Sequence, residues 1–168
     1  MRKTCIIFGS TTGTCESLAS KIADKLGIAA NDIINVNDFK AEMLSEYDNL
    51  ILGTSTWGAG DLQDDWYGGG LKILQSNDLT GKTVALFGCG DSASYGDTFC
   101  GGMAELYDAV KKQGAKVIGS VDADNYSYEA SAAVINDEFV GLALDEDNES
   151  NLTDERIEKW VEQIKNNL

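Results

Sequence analysis

Ile6-Ile7-Phe8-Gly9-Ser10-Thr11-Thr12-Gly13-Thr14-Cys15-Glu16-Ser17 joins a short apolar run, a loop of glycines and hydroxyls, and the opening of an amphipathic segment. That order predicts strand, loop, helix. The first amides of a helix have no intrahelical acceptor, and the helix dipole adds partial positive charge at the same place, so the loop can cradle a phosphate. A Walker A loop would need a lysine here, yet no Lys or Arg lies between Lys3 and Lys21, which argues against NTP hydrolysis. The Gly-x-Gly-x-x-Gly dinucleotide fingerprint is absent too, since Gly9 and Gly13 are the turn's only glycines. Two readings stay open for the loop alone: a neutral cradle in which Ser10, Thr11, Thr12 and Thr14 wrap a terminal phosphate, or a turn whose hydroxyls merely cap the helix.

Downstream, Leu18, Ile22 and Leu26 recur at helical spacing, and Gly27 stops the helix. Ile33 to Val36 reads as a short strand, Ala41 to Leu44 as a weak helical piece, and Tyr47 to Gly53 as a buried strand. Residues 54 to 70 form a long loop that passes into a helix, with Trp57, Trp66 and Tyr67 among glycines and aspartates; Trp66 and Trp160 fall at core positions. Thr83 to Phe87 is the next strand, followed by a second long loop, Gly88 to Thr98. A helix carrying Ala104, Tyr107, Ala109 and Val110 ends near Gly114, and Ala115 to Gly119 returns as a strand. Residues 120 to 138 are polar and non-periodic, and strand character resumes at Phe139 to Leu144, so an insertion splits the last strand. The final helix opens at Leu152-Thr153-Asp154-Glu155-Arg156 with Thr153 as N-cap, and buries Ile157, Trp160, Val161 and Ile164.

Five apolar strands alternating with helices predict an α/β fold in three layers, a doubly wound five-stranded parallel sheet covered on both faces. Ligands on such sheets bind beyond the C-terminal strand ends, where the loops 9 to 16, 54 to 65 and 88 to 98 all converge. One domain spanning residues 1–168 is expected from the length. With 28 acidic and 13 basic residues the net charge is −15, which argues against nucleic acid or an anionic membrane and for basic protein surfaces, although solubility alone would also account for it. Histidine is absent, so His-based triads, metal sites and proton shuttles are excluded. Cys5, Cys15, Cys89 and Cys100 fall in no C-x-x-C or zinc spacing, so no metal site is expected and the thiols read as reduced. The N-terminal apolar run is too short for a signal peptide and no span crosses a membrane, so a cytoplasmic protein is expected, and a monomer.

Several motifs together resemble the flavodoxin family, in its long-chain form, over nearly the whole chain. They are Phe8 to Thr14; Thr54-Ser55-Thr56-Trp57; Gly88-Cys89-Gly90-Asp91 with Tyr95-Gly96-Asp97-Thr98-Phe99-Cys100; Phe139 to Asp147; and Leu152 to Arg156. The resemblance implies the flavodoxin-like strand order 2-1-3-4-5. It implies noncovalent FMN, with Ser10, Thr11, Thr12, Gly13, Thr14 and Cys15 around its phosphate. It implies that Trp57 covers the inner face of the flavin and Tyr95 the outer. Around the ring it puts the Ser55-Thr56 segment, the backbone at Gly58, Ala59, Gly60, Cys89, Gly90 and Asp91, and the segment Thr98-Phe99-Cys100, with Asp147 toward the ribityl chain. The implied function is low-potential one-electron transfer between redox enzymes, not catalysis. The alternative of another class is an FMN-dependent reductase of small organic acceptors, against which the acidic, glycine-rich loops speak.

This chain departs from the family pattern at Cys15, where threonine is usual, and at Ser55, where proline is usual. A thiol is the poorer donor, so Cys15→Thr is expected to bind FMN at least as tightly. Asp61, Asp64, Asp65, Asp91 and Asp97 read singly as solvated loop charges, and collectively as surrounding the ring. A carboxylate ~10 Å from an added electron, at an effective dielectric of ~20, opposes it by roughly 1.7 kcal/mol before screening. That is on the order of 70 mV for one electron.

Overall fold

The computed structural model describes residues 1–168. Strand β1 (Thr4–Gly9) leads through the glycine and hydroxyl loop into helix α1 (Thr14–Leu26), and β2 (Ile33–Asn35) and β3 (Asn49–Thr54) follow. A hairpin of β4 (Thr56–Trp57) and β5 (Asp61–Leu62) precedes α2 (Gly70–Ser76), β6 (Thr83–Cys89), α3 (Met103–Lys112) and β7 (Lys116–Ile118). Three two-residue strands, β8 (Val121–Asp122), β9 (Val134–Ile135) and β10 (Glu138–Phe139), come before β11 (Leu142–Leu144) and α4 (Ser150–Ile164).

The main sheet is parallel throughout, in the order β2-β1-β3-β6, with both β7 and β11 on the outer side of β6. β7 pairs with Thr83 to Ala85 and β11 with Phe87 to Cys89, so the two are halves of one fifth strand, divided by the insertion. Alternation along each strand builds the layers. Ile6, Phe8, Ile51, Ala85 and Phe87 pack with Leu18 and Ile22 of α1 and Ile157, Trp160 and Ile164 of α4. Ile7, Leu50, Leu52, Val84 and Leu86 face the other way, onto Leu71 and Leu74 of α2 and Met103, Leu106 and Val110 of α3. Trp66 and Trp160 are fully buried, each donating its indole N–H to a backbone carbonyl, Gly53 O at 3.1 Å and Gly119 O at 2.8 Å.

Four sequence expectations are corrected. Ala41–Ser45 is a 3-10 turn with only Leu44 buried, too few apolar contacts to hold an α-helix. Residues 54 to 70 contain the β4–β5 hairpin and a further 3-10 turn, Asp64–Gly68. The segment 120 to 138 folds as an antiparallel sheet, β8-β10-β9, and Phe139 belongs to it, so the main sheet resumes at Leu142. Thr153 does not cap α4: it lies inside the helix at 1% exposure and donates its hydroxyl to Glu146. The helix starts earlier because its first residues, from Ser150, are polar enough to face solvent.

Candidate functional site

A cavity of about 260 Å³ opens at the C-terminal edge of the sheet. Thr12 and Thr14 line it from the first loop, Ser55, Thr56, Trp57 and Gly58 from the second, and Cys89, Gly90, Asp91, Tyr95, Thr98 and Phe99 from the third. Glu146 and Asp147, just past β11, close the remaining side. Strand register fixes this convergence: Gly9 is paired with Thr54, and Thr54 with Gly88, so the chain leaves three adjacent strands at one level.

The first loop is built as an anion cradle. Gly13 stands before α1 with φ of 90°, a left-handed conformation that glycine adopts without the Cβ penalty, and no side chain caps the helix. The capping alternative for the hydroxyls is thereby set aside. The first ladder bond runs from Ser17 N–H to Gly13 O, which leaves the amides of Thr14, Cys15 and Glu16 without intrahelical acceptors. Ser10 Oγ accepts the Gly13 N–H at 3.1 Å and shapes the turn, and the Thr12 and Thr14 hydroxyls lie 3.4 Å apart at its mouth. The hydroxyl of Thr11 is engaged with Gln63 at 3.1 Å.

Cys15 is corrected. Its side chain has 0% exposure and packs with Leu18, Ala19 and Ile22, on the apolar stripe of α1. A hydrogen bond with Cys89, together with burial, pushes its thiol pKa well up. The thiol is thus turned into the core, and residue 15 does not line the cavity. Cys100 is likewise inaccessible, held at φ of 53° with its thiol toward the carbonyls of Gly88 and Leu144, and it does not line the cavity.

Two large aromatics stand on the cavity's flanks with much of their surface exposed, Trp57 at 42% and Tyr95 at 60%. A monomeric core would bury such rings, and their exposure beside a cavity marks a stacking surface. Trp57 Nε1 donates to Ser55 Oγ at 2.8 Å, which orients the indole. Past Trp57 the hairpin turns at Gly58 (φ 55°), Ala59 and Gly60 (φ 94°), and a side chain at Gly58 would come within 2.8 Å of Asp61 Oδ2. Gly60 sits against Thr98, and Thr56 Oγ1 accepts the Gly102 N–H at 3.2 Å, so the second loop rests on the third.

The rim is acidic but its members differ from expectation. Of the five aspartates expected around the ring, only Asp91 lines the cavity; Asp65 is tied to Gln63, and Asp61, Asp64 and Asp97 do not line it. Glu146 and Asp147 line it instead. Asp91 accepts from Ser94 N–H and from the Asn148 side chain, which lowers its pKa. Burial, and then Asp91, Asp145 and Glu146 nearby, raise that of Asp147. Behind them Asp145, at 0% exposure, accepts from Ser92 and from Asn148 Nδ2 at 3.0 Å. Glu146, Gln63 and Asn148 escaped the sequence reading. A clue existed for Glu146, since it stands between the strand residue Leu144 and Asp147, but Gln63 and Asn148 carry no local signal.

No cation answers this rim. The thirteen Lys and Arg residues leave 4–20, 41–71, 83–110 and 117–155 empty, which are the stretches that contain all the loops of this edge. Arg2, Lys3, Lys82 and Lys116 gather at the N-terminal strand ends opposite.

Residues 6–160 match the family profile described as flavodoxin. Flavodoxin 1 of Azotobacter vinelandii is 40% identical over 164 residues, 96% of this chain and 94% of that protein. Flavodoxin 1 of Escherichia coli K12 is 41% identical over 169 residues, 100% of this chain and 96% of that protein. Among solved structures, Fusobacterium nucleatum flavodoxin bound to flavin mononucleotide superposes with a TM-score of 0.91 at 37% identity, covering 100% of this chain and 99% of that one.

Proposed function

The chain belongs to the flavodoxin family, electron carriers and not enzymes, and we propose that it shuttles single electrons at low potential between redox proteins, using noncovalent FMN. The observation that carries this reading is one cavity that joins an uncharged anion cradle to two exposed aromatics. The fit to FMN is chemical. The free amides at the start of α1, with the Thr12 and Thr14 hydroxyls, would hold a terminal phosphate, and no basic residue is there to bridge a diphosphate. Trp57 and Tyr95 would stack on the flavin, while Ser55, Thr56, the 58–60 turn, the 89–91 backbone and the 98–100 segment would surround it. When bound, FMN supplies a ring that takes and gives electrons one at a time. Asp91, Glu146 and Asp147, with no cation among them, oppose added negative charge there, which supports a low potential.

Residues 1–168 act on this reading as a single FMN-binding domain, a cytoplasmic monomer. The separation of acidic loops from the basic opposite edge gives the molecule an orientation in an electric field, so a basic reductase or oxidoreductase would meet the cofactor edge first. No helix is long and apolar enough to cross a membrane. Chromatography of the heat-released cofactor tests the proposal and should yield FMN. Recovery of FAD, or an apoprotein that does not bind FMN, refutes it. The rate of electron transfer to a basic partner should also fall as salt is raised, because charges are screened over roughly 10 Å at 0.1 M.

A further inference from the structure

Gln63 is a polar side chain with 2% exposure, placed between the first and second loops. Its amide is fully used. Nε2 donates to Thr11 Oγ1 at 3.1 Å and to Asp65 Oδ2 at 3.0 Å, while Oε1 accepts the Asp65 N–H at 3.0 Å. Asp65 presents both an acceptor and a donor, so the amide has one orientation: a flip would set N–H against N–H and oxygen against carboxylate. The backbone of Gln63 is anchored as well, its N–H donating to Thr54 Oγ1 at 3.1 Å. Space for the side chain is reserved by Gly9, where a β-carbon would stand 2.3 Å from Gln63 Oε1. The fixed amide thus reaches across to an otherwise exposed loop and donates to one hydroxyl of it. Accepting that bond leaves the Thr11 hydroxyl with its proton free to give, and it pins the main chain between Ser10 and Gly13.

We propose that Gln63 is a positioning residue for the anion cradle: acting through Thr11, it holds residues 10–14 in the shape that receives a phosphate ester, and so sets the preference for FMN over riboflavin. The inference rests on the FMN reading above. It assigns Gln63 no contact with the cofactor, and it predicts an effect on the phosphate end alone.

The test compares apoprotein of the parent, Gln63→Met, Thr11→Val and the double variant, measuring dissociation constants for FMN and for riboflavin by flavin fluorescence, with thermal unfolding alongside. Gln63→Met should lower the FMN-to-riboflavin preference by roughly three- to tenfold, the worth of one hydrogen bond. Riboflavin affinity should change little. Thr11→Val, which removes the hydroxyl together with the link, should cause at least that fall, and the double variant none beyond Thr11→Val alone, because Gln63 acts only through Thr11. An unchanged preference accompanied only by a lower unfolding temperature would show Gln63 to be structural and overturn the proposal. So would equal weakening of both ligands, or losses that multiply in the double variant. Should Gln63→Met fail to fold, Gln63→Leu withdraws the same donor without adding charge next to the cradle, and the same fall in preference is required of it. A parent that binds riboflavin as tightly as FMN refutes the phosphate reading itself, before any substitution is compared.

Discussion

Replacing Cys15 by the threonine usual in the family should leave FMN binding where it was, within the expectation of binding at least as tight, but weaken the fold, which the sequence does not suggest. The side chain has 0% exposure, among Leu18, Ala19, Ile22 and Cys89. Every other buried hydroxyl in the protein has a partner. Thr4 donates to Arg2 O at 2.8 Å, Thr54 to Ser55 O at 2.7 Å, Thr83 accepts from Arg2 at 3.0 Å, and Thr153 donates to Glu146. At position 15 the side-chain partner in place is the Cys89 thiol, a weak one for a hydroxyl. Burying a hydroxyl without compensation costs about 1–3 kcal/mol by mutational measure. At 2–4 °C per kcal/mol for a chain of this size, the unfolding temperature of the apoprotein should fall by about 2–12 °C. Cys15→Ala, which introduces no polar atom, should cost ~1 kcal/mol through lost packing. Thermal unfolding of both apoproteins, with FMN titration of each, checks this. A Cys15→Thr protein that is as stable as the parent and binds FMN more tightly would mean the hydroxyl turns outward into the cradle, and the inward placement of the sulfur would be refuted.

Asp147→Asn should raise the unfolding temperature at pH 7, since burial and the carboxylates of Asp91, Asp145 and Glu146 raise the folded pKa of Asp147 and so penalise its ionised form. That penalty disappears as the pH falls below the unfolded carboxyl value of about 3.9, so the gain should vanish near pH 3.5; a gain that persists there would contradict the cause. Gly53→Ala would put a β-carbon 2.1 Å from Cζ of the fully buried Phe87, and should cost about 1–3 kcal/mol in urea denaturation. Adding Phe87→Leu should recover part of that loss, whereas simple additivity would show the clash relieved elsewhere. Ser55→Ala should free the Trp57 indole, which now donates to Ser55 Oγ, and speed its fluorescence depolarisation relative to a Trp57→Phe background that isolates the buried Trp66 and Trp160. Unchanged depolarisation would show that packing, not this bond, holds the ring.

The main sheet was legible because its strands are continuous apolar runs and its helices carry clean stripes; Ile157, Trp160, Val161 and Ile164 are all buried as the spacing requires. The split fifth strand was legible as an interruption, but its far boundary was not. Phe139 looks like strand in either sheet, and it is the tertiary cluster with Phe99, Tyr126 and Tyr128 that assigns it to the insertion. Short hairpins such as β4–β5 offer too few residues for alternation to show. Thr153 has a capping residue type, but its partner, Glu146, comes from outside the helix, which residue type alone does not disclose. In the candidate site, loop composition identified the segments but not the direction of individual side chains. Cys15 is read from its loop as a cradle residue and from its helix as a core residue, and only the packing of α1 against β6 decides between them.

What spacing could not reveal is that the loops are bound to each other before any ligand is considered. Gln63 joins the first to the second, Thr56 joins the second to Gly102 beyond the third, and Asn148 Nδ2 joins the last to the third through Asp91 Oδ1 at 2.8 Å. Each link is a hydrogen bond across more than 40 residues of sequence, so none is a product of local turn chemistry. A cavity walled by separate loops would have to order each of them on binding, at a cost of about 0.5–1.5 kcal/mol for every side chain immobilised. Here the backbone amides at the start of α1, the ring of Trp57 and the acidic rim are fixed relative to one another by the chain itself. On the electron-carrier reading proposed above, these links would hold the carboxylates of Asp91, Glu146 and Asp147 at a constant distance from the added charge.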